Sequence, residues 1–207
     1  MLKNNQIVVI VTEGETDKLF YSKILQVLRE KVPGKNFKVN RIDHICVNGI
    51  GKFESKLYRI FRKNVEQYNK ANKDPEICVF LCYDADVFLG KKNPPVCWKN
   101  VEKNLKKYGA NKIYHIVANE AIEDFILLDY DGVLKFLKLS KNTKHSYHGV
   151  DGLKTLYKMA NKAYIKGSKA ENLLDSLNFE LIEHKLCEQL SYLCEVVGVE
   201  CSQKEKR

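Results

Sequence analysis

Two short stretches concentrate side chains able to do chemistry on phosphates. Residues 7–20 read IVVIVTEGETDKLF, with three acids in five positions: Glu13, Glu15 and Asp17. Residues 77–86 read ICVFLCYDAD and end on Asp84 and Asp86. In both, a continuous apolar run leads straight into the acids. Such a run reads as a buried strand, so each stretch places carboxylates just past a strand end. Carboxylates that converge there repel one another, and partial burial raises the cost. A hard divalent cation relieves both costs. Magnesium takes one or two carboxylates together with waters and phosphate oxygens, and the Asp84-x-Asp86 spacing lets one turn aim two side chains at one ion. The same acids have a structural reading. Acids in a first helical turn stabilise it by roughly 0.3–1 kcal/mol each, and Thr12 with Glu15 has capping-box spacing. Glu15 fits the helix role. Glu13, between a strand and Gly14, fits the metal role. Asp17 stands open between the two.

The elements that must position these acids alternate along the chain. Strand character covers 7–11, 37–47, 77–83 and 112–117, and amphipathic helices are expected over 18–32, 53–68 and 96–108. The segments VPGKN, NGIG, ANKDPE and GKKNPP supply the breaks. This alternation predicts an α/β fold with a parallel sheet covered on both faces. Ligands of such sheets collect beyond the C-terminal strand ends, where the acids lie. From Ala121 onward helix follows helix. The expected division is an α/β domain over 1–130 and a helical extension over 131–207 packed on the same domain.

The chain has 207 residues, 35 Lys and Arg against 26 Asp and Glu, and a formal charge of +9. A basic protein attracts phosphate backbones. Two helical stretches offer cationic faces for nucleic acid: Arg59, Arg62 and Lys63 in the first, and Lys103, Lys106 and Lys107 in the second. Neither has base-reading specificity. The first apolar run is far too short to span a bilayer, so no membrane partner is expected. The seven cysteines are odd in number and contain no CxxC, which predicts reduced, mostly buried thiols and a cytoplasmic protein. Cys187 and Cys194, seven apart, are expected on one core-facing helix side.

With these residues in view, VTEGETDKLFY followed by CYDADVF resembles the Toprim domain, shared by topoisomerases, bacterial primases, OLD-type nucleases and small ribosomal-RNA-maturing nucleases. The glutamate–glycine after the first strand is here Glu13-Gly14. The later DxD is Asp84-Ala85-Asp86, and VNGIGKF resembles the family's glycine turn. The resemblance covers about residues 6–130 and is nearest to the OLD-type and RloB-like branch. Asp17, four residues after Glu13, matches that branch's E-G-x-x-E/D form. NEAIEDFILLDYDG resembles its IE-x-W-x-L-x-D element, with Phe125 in place of Trp and Glu123 at the third acidic position. YIKGSKA makes Lys166 the candidate catalytic lysine. The resemblance implies a Rossmann-like, Toprim-like sheet with Mg²⁺ or Mn²⁺ held by Glu13, Asp17, Asp84, Asp86 and Glu123.

The function expected on this basis is metal-dependent hydrolysis of DNA or RNA phosphodiesters, in phage defence or nucleic-acid processing. Glu13 would act as ligand or as general acid or base, and Lys166 as the catalytic cation. The alternative is a Toprim-like module that binds a nucleotide or partner without cleaving. A separate ATPase partner and homo-oligomerisation through the last third are further expectations of the resemblance and the helical pattern. From residues alone, Glu123 also reads as a dipole acid in a helix capped by Asn119. NGIGKF lacks the third glycine of a dinucleotide fingerprint, and no P-loop or GxSxG elbow occurs. His145 and His148 read as surface loop residues, and His115 as a half-buried, satisfied strand residue.

Overall fold

A computed structural model describes residues 5–32, 34, 36–88, 94–144 and 147–200. Gly90, His145, Cys201 and the terminal SQKEKR lie outside these residues. Four strands, β1 (Gln6–Thr12), β2 (Arg41–Cys46), β3 (Glu76–Asp84) and β4 (Lys112–Ala118), form one parallel sheet in the order β2-β1-β3-β4. The α/β class expected from the alternation is the one observed, with all four strands parallel. Val8 and Ile10 of β1 face one side, and Ile7, Val9 and Val11 face the other. Both sets are fully buried, which is why the run is apolar throughout rather than alternating.

Helix α1 (Glu15–Glu30) packs Phe20, Ile24 and Leu28 on the first side with Val8, Ile10, Cys78 and Phe80. On the other side, α3 (Leu57–Ala71) contributes Leu57, Phe61 and Val65, and α4 (Trp98–Lys107) contributes Val101 and Leu105. A short α2 (Lys52–Ser55) precedes α3. The sequence predicts one helix over this stretch; the backbone instead breaks at Lys56.

The connection from β1 to β2 travels one way across the sheet, with α1 on one side. Those from β2 to β3 and from β3 to β4 travel the other way, with α3 and α4 on the opposite side. Crossovers of a single hand produce this arrangement. The direction of travel reverses between β1 and β3. The crevice beyond their C-terminal ends is therefore the topological switch point of the sheet.

Among the described residues, six further α-helices follow β4: α5 (Ile122–Ile126), α6 (Tyr130–Leu137), α7 (Gly149–Met159), α8 (Glu171–Asp175), α9 (Phe179–Lys185) and α10 (Cys187–Val197). They share the core of α1 rather than forming one of their own. Phe20 lies 5.9 Å from Phe125 and 5.3 Å from Phe179 between ring centroids. Asp129 is buried because it accepts from two backbone donors, Gly132 at 3.1 Å and Asn178 at 2.7 Å.

Two caps differ from the sequence reading. α1 starts at Glu15 with Gly14 at its N-cap, so Thr12 and Glu15 form no capping box; Glu15 instead pairs with Lys18 at 2.9 Å. α5 is capped by Ala121 and Asp124 rather than by Asn119, with the Asp124 carboxylate accepting from Glu120 N and Ala121 N. None of the six described cysteines is in a disulfide. Cys194 is buried as expected, but Cys187 is only half-buried at the start of α10, and Cys97 is exposed.

Candidate metal centre at the switch point

The strand register brings the sequence-distant acids to one place. Thr12 pairs with Cys82, so Glu13 follows β1 level with the end of β3. Asp84 is the last residue of β3 and stands opposite Ala118. The turn after β2 closes over this end: Val47 N donates to Thr12 O, and Gly49 N to Glu13 O. Asn48 (φ 61) and Gly49 (φ 123) adopt the left-handed backbone this turn needs, and the Ile50 N–H then hydrogen-bonds the Glu13 carboxylate. The Asn-Gly of VNGIGKF is thus explained by a turn held against the site.

Asp17 is one turn into α1 and 7% exposed. A side chain at Gly14 would come within 3.2 Å of the Asp17 carboxylate, so glycine leaves room for that acid against the strand end. Asp84 accepts from Ile122 N at 2.8 Å and so fixes the start of α5. The next residue of α5 is Glu123, wholly buried. Its two oxygens face Lys166 Nζ at 3.0 and 3.2 Å, and Tyr164 OH donates to it at 2.9 Å. Lys166 comes from the segment after α7, which is held to α1 by Gly167 N donating to Thr16 Oγ1 at 2.7 Å.

The electrostatics follow from this crowding. Burial pushes the Asp84 carboxyl up to about 8, with Asp17, Glu13 and Glu123 adding repulsion and Lys166 opposing. Burial likewise pushes Asp17 up to about 7. Glu13 is raised by burial, against the Ile50 N–H and Lys166. Burial alone would lower Lys166, but Glu123, with Asp84 and Asp17 behind it, raises it. The ammonium therefore stays charged among four acids. One oxygen of Glu13 is buried with no hydrogen-bond partner.

Glu13, Asp17, Asp84, Glu123 and Lys166 thus share one electrostatic neighbourhood. Asp86 sits at its rim, exposed, opening a 3₁₀ turn (Asp86–Phe88) and acting on Glu13 through its charge. Arg59, Arg62, Lys63, Lys103, Lys106 and Lys107 lie apart on the solvent faces of α3 and α4. His115 lies between Tyr83 OH at 3.1 Å and Glu102 at 3.2 Å, a satisfied strand residue, and His148 is exposed. Sequence reasoning missed Tyr164 and Thr16. Tyr164 is two residues before Lys166 in an extended stretch, where alternate side chains share a side; that spacing was the available signal.

The donor set is all carboxylate oxygen, which suits magnesium or manganese. Among the described residues no three Asp, Glu, His or Cys side chains are grouped to hold an ion by themselves. That disfavours a closed protein cage of the zinc type. It leaves room for an ion bound by one or two carboxylates, waters and phosphate oxygens. The unpaired Glu13 oxygen and the raised Asp84 and Asp17 are what such a cation would satisfy.

No family model matches the chain, and no curated protein matches it. Among solved structures it is similar to the C-terminal region of the Xanthomonas campestris pv. campestris OLD protein. That likeness covers 96% of this chain and 98% of the other, at 10% identity and a TM-score of 0.38. At this level no residue role passes from that protein to this one. No helix among the described residues is long and apolar enough to cross a membrane.

Proposed function

We propose that the protein is a metal-dependent phosphodiesterase acting on DNA or RNA. The observation that carries this reading is the gathering of half-buried Glu13 and Asp84 with buried Asp17 at the switch point, with one Glu13 oxygen unpaired and Lys166 among them. One or two of Glu13, Asp84 and Asp86 would hold Mg²⁺ or Mn²⁺ together with waters and phosphate oxygens, with Asp17 beside them. When bound, the ion would polarise a phosphate and lower the pKa of an attacking water. Glu13, its carboxyl raised by burial and one oxygen unpaired, is placed to exchange a proton with that water. Lys166 would neutralise charge developing on phosphate oxygens. Glu123 and Tyr164 orient the Lys166 ammonium, so Glu123 acts through the lysine as much as through a metal. The test is cleavage of single- and double-stranded DNA and RNA in Mg²⁺ and in Mn²⁺. Wild type cuts at least one of them, and Asp84→Asn combined with Asp86→Asn reduces cutting at least about a hundredfold. Equal cutting by both proteins defeats the reading.

A second reading, a non-cleaving module that binds a nucleotide or partner, draws on the pairing of Glu123 with Lys166 and on the lack of a three-carboxylate grouping. It requires metal binding without cleavage of any nucleic acid.

A further inference from the structure

We propose that the outer surface of α3 and α4 docks single-stranded nucleic acid, with unpaired bases stacking on Tyr58 and Tyr108 while the surrounding cations hold the phosphates. This rests on the nucleic-acid reading above but not on catalysis.

Charge is distributed unevenly over the molecule. Helices α2, α3 and α4 contain nine Lys and Arg against three Glu. Helices α8, α9 and α10 contain one Lys against six acids. A phosphate backbone is therefore drawn to the surface of α2, α3 and α4 and repelled by that of α8, α9 and α10. The three glutamates on the basic side are all engaged. Glu54 holds the start of α4 through Cys97 N and Asn100 Nδ2, Glu66 pairs with Arg62, and Glu102 faces His115 and Lys106. Arg59, Lys63, Lys103 and Lys107 remain exposed around them.

Within this field stand two half-buried tyrosines, one from each helix. The Tyr58 and Tyr108 rings are nearly parallel, 6.2 Å apart with 16° between planes. The Arg59 guanidinium is 5.6 Å from the Tyr58 ring, and its Nε donates to the Tyr58 hydroxyl at 3.0 Å. The Lys107 ammonium is 5.8 Å from the Tyr108 ring. Cations and π-faces side by side match the alternation of phosphate and base along an unpaired strand. A duplex keeps its base faces inside the stack, so such rings discriminate in favour of single strands.

The face also leads to the carboxylates. α2 follows directly from the turn whose Ile50 N–H meets Glu13, and Phe53 of α2 packs against Trp98 at 5.3 Å and Tyr83 at 6.4 Å. Tyr83 immediately precedes Asp84. A strand lying on α3 and α4 would thus reach the switch point across one aromatic cluster.

Fluorescence anisotropy on the full chain in EDTA tests this, with a labelled oligothymidylate and a duplex of equal length at about 0.1 M salt. Wild type binds the single strand at least about tenfold more tightly. Tyr58→Leu with Tyr108→Leu, which keeps apolar bulk but removes the rings, weakens single-strand binding by about five- to a hundredfold and duplex binding by less than about twofold. The Phe pair at the same positions retains binding, which separates loss of stacking from loss of fold. Lys103→Gln, Lys106→Gln and Lys107→Gln together reduce the single-strand salt slope by about 2. Equal affinity for both forms, duplex preference, or a leucine pair that binds like wild type overturns the proposal. Wild type that binds the single strand in EDTA with this preference yet cuts nothing in Mg²⁺ or Mn²⁺ defeats the catalytic reading alone.

Discussion

The carboxylates at the switch point and the cations of α3 and α4 are both concentrations of one sign, yet the fold treats them in opposite ways. Glu13, Asp17, Asp84 and Glu123 are drawn to the end of the sheet, where repulsion is poorly screened and, among the described residues, the cation set against them is Lys166. Arg59, Arg62, Lys63, Lys103, Lys106 and Lys107 are spread over solvent-facing turns, where water and salt absorb most of the cost. An exposed basic face can persist without a ligand. A buried acidic cluster is stable only if something neutralises it: protons, Lys166 or a metal ion. The difference teaches that the acids, not the lysines, are the more demanding clue to function.

The largest effect that sharpens this contrast comes from removing one cation on each side. Lys166→Met leaves Glu123 buried with no opposite charge. Lys166 is itself about half exposed, so the expected loss is about 2–3 kcal/mol of unfolding free energy. Lys106→Met, at an exposed helical position, changes stability by less than about 0.5 kcal/mol. Denaturant titrations of the two variants measure this, and equal effects would erase the distinction.

A smaller effect concerns pH. Asp84 and Asp17 have folded values near 8 and 7, above the ordinary carboxyl value of 3.8. A raised acid binds its proton more tightly when folded, so its stabilisation is whole below about pH 4. It is lost as pH rises through about 7 and then 8. Metal-free protein should therefore melt about 5–10 °C lower at pH 9 than at pH 5.5, and Asp84→Asn should flatten that dependence. A melting temperature that rises over the same interval would contradict the placement of these acids.

The parts of this arrangement legible in the sequence were those written locally. Ile7 to Val11 and Ile77 to Tyr83 announce buried strands by composition, and Glu13 and Asp84 follow them directly. Lys166 was reached through the resemblance of YIKGSKA and not through any local pattern. What stayed hidden depends on contacts across long chain separations. Thr16 receives Gly167 N from 151 residues away, and Tyr164 meets Glu123 across 41. No periodicity encodes such pairs. The expected Thr12–Glu15 capping box failed because the strand runs on through Thr12 and the helix starts directly after Gly14. Asn119 was a plausible cap by residue type, but the Asp124 carboxylate turns back to do that work.

The proposed activity depends above all on a divalent cation at Glu13, Asp84 and Asp86 beside buried Asp17. Calorimetric titration of Mn²⁺ into the metal-free protein at pH 8 tests it most directly. Saturable binding to wild type is expected, weakened at least about tenfold by Asp84→Asn with Asp86→Asn and unchanged by Lys103→Gln with Lys106→Gln. No saturable binding to wild type, or equal binding by the carboxylate double variant, would contradict the account.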